Sequence, residues 1–166
     1  MHNELTEQDL RMMREELDHR RVILRPQLLE AVKEARAFGD LSENFEYHAA
    51  KREKNQNESR IRYLENLLKN AIVISDASRE DEVGLNNTVT LFMEDDDEEE
   101  VYKLVTSIRG SSIHNMISTE SPLGRAILRH KVGDRVLVQA NETYSYYVTI
   151  RKIENTDDSD DTIRKY

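Results

Sequence analysis

Two carboxylates three residues apart, Asp40 and Glu43, fall in the run Gly39-Asp40-Leu41-Ser42-Glu43. At the start of a helix, D-x-x-E is a capping box, with Asp40 as N-cap and Glu43 reaching back to it. Left ionised beside a positive helix end, the same oxygens can ligate a hard cation. Mg2+ suits them, because it takes one or two carboxylates and keeps several waters. Two carboxylates in open water are too few to hold it firmly. No histidine or acidic cluster elsewhere in the sequence has the ligand spacing to complete a site. A metal role therefore requires a second molecule that supplies the remaining ligands, and spacing alone leaves both readings open.

The elements around this run are helical. Thr6 to Asp9 spells a capping-box start with Asp9 in place of Glu. Apolar or small residues then recur at Leu10, Met13, Leu17, Leu24, Leu28, Ala31 or Val32, Ala35 and Phe38. Apart from one slot near Arg20 and Arg21, the steps are threes and fours, the seam of an antiparallel coiled coil. Pro26 lies inside the pattern and predicts a local kink. The seam resumes at Tyr47, Ala50, Lys54, Asn57, Ile61, Leu64, Leu68 and Ala71. Folding back at the turn brings the region of Arg25 near residues 54–58 and leaves the seam apolar at its base and more polar midway. At ~1.5 Å per residue the first helix is on the order of 45–50 Å long. The expectation is a coiled-coil hairpin over 1–75 with its tip at about 38–45, carrying the two acids at its far end.

Residues 76–86 read as a polar linker. From Thr88 the period changes to two. "TVTLFME" (88–94) and "EVYKLVTSI" (100–108) predict one strand pair, "DRVLVQ" (134–139) and "TYSYYVTIRKI" (143–153) another. The last strand places Tyr144, Tyr146, Val148 and Ile150 on one face. Between the pairs, "SPLGRAILRH" (121–130) predicts a short helix, with Ser121 as N-cap and Pro122 in the first turn. The acidic run "EDDDEEE" (94–100) predicts a solvated hairpin loop held open by its own repulsion. Residues 156–166 predict a disordered acidic tail. The fold class is α+β.

Hydrophobic residues make up 37% of the 166-residue chain and charged residues 34%, which suits an elongated helical part joined to a small globular one. No cysteine is present, so disulfides and thiolate metal sites are excluded. The net charge of −9 is uneven. Residues 1–75 hold 13 basic and 14 acidic residues, while residues 76–166 hold 11 and 19. Unaided duplex binding by the second half is disfavoured, because phosphate neutralisation needs a basic surface. No signal-peptide pattern and no apolar run of about 18 residues is present. These features lead to the expectation of a soluble, cytoplasmic protein without membrane contact.

"GDLSENFEYHAAK" (39–51) resembles the tip of the bacterial Gre transcript cleavage factors, of the GreA type. The resemblance continues through Met13–Asp18 with Arg25-Pro26, through "SRIRYLENLLKNAIVI" (59–74), and through "ISTESPLGRAILRHKVGDRVLV" (117–138). It covers about residues 5–155, and the tip motif is its most specific part. The resemblance implies a coiled-coil hairpin followed by a small FKBP-like antiparallel β-sheet domain over 87–155. It implies a monomer that is not itself an enzyme, whose hairpin enters the secondary channel of bacterial RNA polymerase. There Asp40 and Glu43 would help to hold a second Mg2+ shared with the polymerase and would stimulate cleavage of backtracked RNA near its 3′ end. Leu41 would either cover the helix end or contact polymerase. Ser42 would cap the helix or bond a metal-bound water, and Asn44 and Tyr47 would support the tip, Tyr47 against Phe38 or Ala35. Lys51 and Arg52 are candidates for contact with the RNA 3′ segment. Ser121, Pro122 and Leu123 would dock on a coiled coil at the channel rim.

Two alternatives remain at this point. One is a channel-entering relative that inhibits polymerase without promoting cleavage. The other is a coiled-coil adapter whose capped turn has no chemistry. Arg129-His130 and the acidic run depart from the family pattern, so the docking surface is the less specific part of the resemblance.

Overall fold

A computed structural model describes residues 3–39, 44–109, 115–158 and 161–163. The chain divides into two compact units, Leu10–Ala71 on one hand and Met1–Asp9 with Ile72–Tyr166 on the other. The elements run β1 (Glu4–Leu5), α1 (Glu7–His19), a π-helical turn (Arg20–Leu24), α2 (Arg25–Arg36), α3 (Phe45–Lys69) and β2 (Ile72–Val73). They continue with β3 (Asn87–Met93), β4 (Glu98–Val105), β5 (Met116–Ser118), α4 (Pro122–Ile127), β6 (Arg135–Gln139) and β7 (Ser145–Asn155). No helix of the described residues is long and apolar enough to cross a membrane.

The unit Leu10–Ala71 is a helical hairpin. Its seam buries Leu10, Met13, Leu17, Ala35, Tyr47, Asn57, Ile61 and Leu64. Midway the seam is ionic. Glu16 accepts from Arg60 at 2.7 and 3.1 Å and from Arg20 at 3.0 Å. Arg20 also donates to Asn57 at 2.9 Å, and Arg25 grips Glu58 through two bonds of 2.8 and 3.1 Å. Arg21 pairs with Glu65. Burial pulls the Glu16 carboxyl upward, but the hydrogen bonds of Arg60 and Arg20 outweigh it and hold it below its ordinary value.

The expected kink at Pro26 is a π turn. The Arg25 N–H bonds to the Arg20 carbonyl, five residues back. Pro26 has no N–H, and its ring crowds the carbonyl four residues earlier, so a widened turn just upstream relieves the clash. The same turn coincides with the slot near Arg20 and Arg21 where the three-and-four stepping lapses. Phe38, read as the last seam position, is 73% exposed and so lies off the seam.

In the other unit, β1 and β2 pair in parallel. A five-stranded sheet has the order β5-β4-β3-β7-β6. It is mixed rather than antiparallel, because β5 runs parallel to β4. A bulge between Thr90 and Leu91 adjusts the β3–β7 register. Val89, Leu91, Leu104, Val136, Val138, Val148 and Ile150 form the buried face, and Leu123 and Ile127 of α4 pack on it. Gly124 is required by close approach, since a Cβ there would lie 2.0 Å from the Ser118 carbonyl oxygen.

Three expectations need correction in this unit. The second half of the expected linker is packed: Val83 is fully buried, Leu85 nearly so, and the Val83 N–H bonds to the His130 carbonyl at 2.8 Å. Within the acidic run, Glu98–Glu100 belong to β4 rather than to a loop. Glu94 and Glu99 pair with Arg135 and Arg151, and Glu100 accepts from the Tyr102 hydroxyl. Asp161, expected in a disordered tail, is buried, and its carboxylate binds Lys103 at 2.9 and 3.0 Å and Arg109 at 2.8 Å.

Candidate functional site

The turn of the hairpin is built by its neighbours. Gly39 leaves α2 with φ of 124°, a conformation that L side chains rarely adopt. A Cβ at Gly39 would meet nothing within 4 Å, so the requirement is conformational. On the far side Asn44 is the N-cap of α3, and its side-chain oxygen accepts from the Tyr47 N–H at 3.0 Å. Its amide donates to the Ala35 carbonyl at 2.6 Å, which ties the start of α3 to the end of α2.

The capping reading of the two acids therefore fails. Helix α3 begins at Phe45, beyond Glu43, and its cap is Asn44, neither Asp40 nor Ser42. Asp40, Leu41, Ser42 and Glu43 themselves lie outside the described residues.

Below the turn stands Tyr47, its ring buried. The Arg36 guanidinium carbon lies 5.5 Å from the ring centroid and Lys51 Nζ 5.9 Å. A hydrogen bond from Arg36, with the charges of Lys51, Arg36 and Lys54, holds the Tyr47 hydroxyl below its ordinary value against the opposing effect of burial. Basic charge thus gathers on one side of the hairpin close to its end. His48 meets the same ring edge-on at 5.4 Å.

Of the two sequence-derived RNA candidates, Lys51 joins this cluster, and Arg52 is exposed on the next position of α3. Arg36 was missed by the sequence reading. Its signal was available: the last turn of α2 must lie opposite the first turn of α3. Arg21, Arg25 and Arg60 are paired across the hairpin, while Arg20 pairs with Glu16 on its own limb and donates to Asn57 on the other.

The three docking candidates divide. Ser121 is the N-cap of α4, accepting from the Gly124 N–H at 3.1 Å and donating to the Ser118 carbonyl at 2.6 Å. Leu123 belongs to the core. Only Pro122 is exposed. Asp134 anchors the turn that follows, accepting from the Lys131 N–H at 3.0 Å and lying 3.0 Å from His130 Nδ1.

Among the described residues no group of three or more His, Cys, Asp or Glu is placed to hold a metal ion. The described end of the hairpin is thus a cap and a basic cluster.

Residues 3–73 match the family model described as "Transcription elongation factor, N-terminal", and residues 78–155 match "Transcription elongation factor, GreA/GreB, C-term". Transcription elongation factor GreA of Caldanaerobacter subterraneus subsp. tengcongensis is 44% identical over 136 residues, covering 81% of this chain and 87% of that protein. The GreA of Streptococcus pneumoniae serotype 19F is 40% identical over 153 residues, covering 92% of this chain and 95% of that protein. A solved structure of the transcription factor Gfh1 aligns at 24% identity with a TM-score of 0.46, over 93% of this chain and 99% of that one. With both units matched in order and identity sustained across nearly the whole length, this chain belongs to the GreA/GreB family of transcription elongation factors.

Proposed function

We propose that this elongation factor inserts the end of its hairpin into the secondary channel of RNA polymerase and stimulates cleavage of backtracked nascent RNA. The observation that carries this reading is the Asn44 cap. Helix α3 takes its N-cap from Asn44, so that cap does not call on Asp40 or Glu43. Carboxylate oxygens suit Mg2+, and two of them require a partner to supply the rest. The polymerase active site is the partner in this reading.

When bound, Mg2+ supplies an activated water and stabilises the leaving oxygen of the phosphodiester. The roles of this chain's residues are positional. Asp40 and Glu43 contribute oxygens, the Asn44 bridge to Ala35 ties together the two limbs that flank them, and Leu41 contacts polymerase beside the site. Arg36, Lys51 and Arg52 neutralise phosphates of the extruded RNA 3′ segment. Pro122 belongs to the surface that meets the rim of the channel. The polymerase performs the chemistry, and this chain is not itself the catalyst.

The test is Asp40→Asn with Glu43→Gln in a cleavage assay on stalled polymerase complexes. Both changes leave the cap of α3 in place, so folding and polymerase binding are retained and cleavage is lost. Undiminished cleavage by the double variant refutes the role of the acids. Binding without cleavage by the unsubstituted chain identifies an inhibitor of polymerase instead.

A further inference from the structure

Two of the chain's three phenylalanines flank the acidic turn. Phe38 is 73% exposed and Phe45 is 87% exposed. The third, Phe92, lies under the guanidinium of Arg151, whose carbon is 4.4 Å from the ring centroid. We propose that Phe45, assisted by Phe38, stacks on an unpaired nucleobase of the RNA segment that meets the end of the hairpin. The inference rests on the proposed function and adds to it a sequence-tolerant contact with the bases rather than the phosphates.

Both rings stand on fixed backbone. Phe45 is the first residue of α3, directly after the Asn44 cap. The Phe38 N–H is bonded to the Ala35 carbonyl at 3.2 Å. Each is two residues from an acid of the turn, and two residues span at most about 7 Å. If the acids act at a phosphate of the RNA, the bases attached on either side of that phosphate fall within reach of these rings.

The surroundings favour a base over an apolar protein wall. The core of a protein interface is depleted in charge. Here Glu46 and His48 are exposed beside Phe45, and Arg36 and Lys51 flank Tyr47 one turn below. Exposed aromatic faces among cations are the composition of single-strand binding surfaces, where stacking tolerates any base and cations track the backbone. Neither exposed ring contributes to the seam, so removing it does not threaten the fold.

The experiment compares cleavage of backtracked complexes whose extruded nucleotides carry bases with that of complexes whose extruded nucleotides are abasic. On base-bearing RNA, Phe45→Ala slows cleavage about tenfold, Phe45→Trp restores the rate, and Phe45→Leu does not. On abasic RNA the unsubstituted chain is slowed to the same degree, and Phe45→Ala adds nothing further. Competition for polymerase stays within about twofold for all variants. An equal loss on both RNAs, or full rescue by Leu, overturns stacking and assigns the ring to a protein wall. No effect of Phe45→Ala, while the unsubstituted chain cleaves, overturns the inference alone. Absence of cleavage by the unsubstituted chain overturns the proposed function and this inference with it.

Discussion

The Asn44 amide donates to the Ala35 carbonyl at 2.6 Å while its oxygen accepts from the Tyr47 N–H at 3.0 Å. One side chain thus closes the hairpin and caps its second limb. Asn44→Ala removes both bonds, and Asn44→Asp keeps the cap but loses the donor to Ala35. Loss of an N-cap costs about 1 kcal/mol. The Ala variant should therefore melt below the Asp variant, and both below the parent, in thermal unfolding followed by circular dichroism. Hydrogen exchange should accelerate at the Tyr47 amide in the Ala variant and at neither limb's centre. If Asn44→Asp were as damaging as Ala, the cap would be irrelevant and the Ala35 bond would be the whole effect.

Glu16 receives Arg60 and Arg20, and its carboxyl lies below the ordinary value of 4.5 because those hydrogen bonds outweigh burial. The folded chain therefore binds this proton less readily than the unfolded chain. The stability it contributes is fully present above pH 4.5 and is lost as pH falls through the folded value. Denaturant titrations from pH 7 to pH 3 should show stability declining through this window. Glu16→Gln should flatten part of that decline and lower stability at pH 7 by about 1–3 kcal/mol, since Arg60 is 5% exposed and loses a charged partner. An unchanged pH slope in the Gln variant would show that the pair is solvated in solution.

The helical half of the fold was readable because a seam repeats. Tyr47, Asn57, Ile61 and Leu64 are buried as the spacing required, and Arg25 meets Glu58 where folding back at the turn placed it. The π turn left only a lapse in stepping. Asn44 was hidden because Asp40 is an equally good cap by residue type, and sequence offers no way to choose the helix start between them. Val83 and Leu85 were obscured by acidic neighbours that suggested a linker. The direction in which β5 pairs with β4 leaves no mark in the local period, and the ties of Arg109 to Asp9 and Asp161 join positions far apart in the chain.

Arg109 is wholly buried between carboxylates. Its Nε lies 2.6 Å from Asp9 Oδ1, and its Nη1 donates to Asp161 at 2.8 Å and to the Asn86 side chain at 2.9 Å. Asp9 also completes the capping box with Thr6, accepting at 2.9 Å from its N–H and donating its own N–H at 3.2 Å to the Thr6 hydroxyl oxygen. Asp161→Asn should destabilise the chain by about 1–3 kcal/mol, because a buried charge loses one of its partners while Asp9 remains. The difference should persist in 1 M salt, since buried pairs are weakly screened. Salt that erases the difference would show the C-terminal segment to be solvent-exposed.

Pro122 and Leu123 are adjacent yet should respond in opposite ways. Leu123 belongs to the core cluster under the sheet, with Ile127 beside it. Truncating a core leucine costs about 2–5 kcal/mol, so Leu123→Ala should lower the melting temperature and weaken polymerase binding only as far as folding fails. Pro122 is exposed at the first turn of α4, with Ser121 holding the cap. Pro122→Ala should shift stability by no more than about 0.5 kcal/mol while weakening binding to polymerase. Measuring both variants by thermal melt and by competition for polymerase separates the packing role from the docking role. If Pro122→Ala binds as the parent does, α4 presents no docking contact at that position.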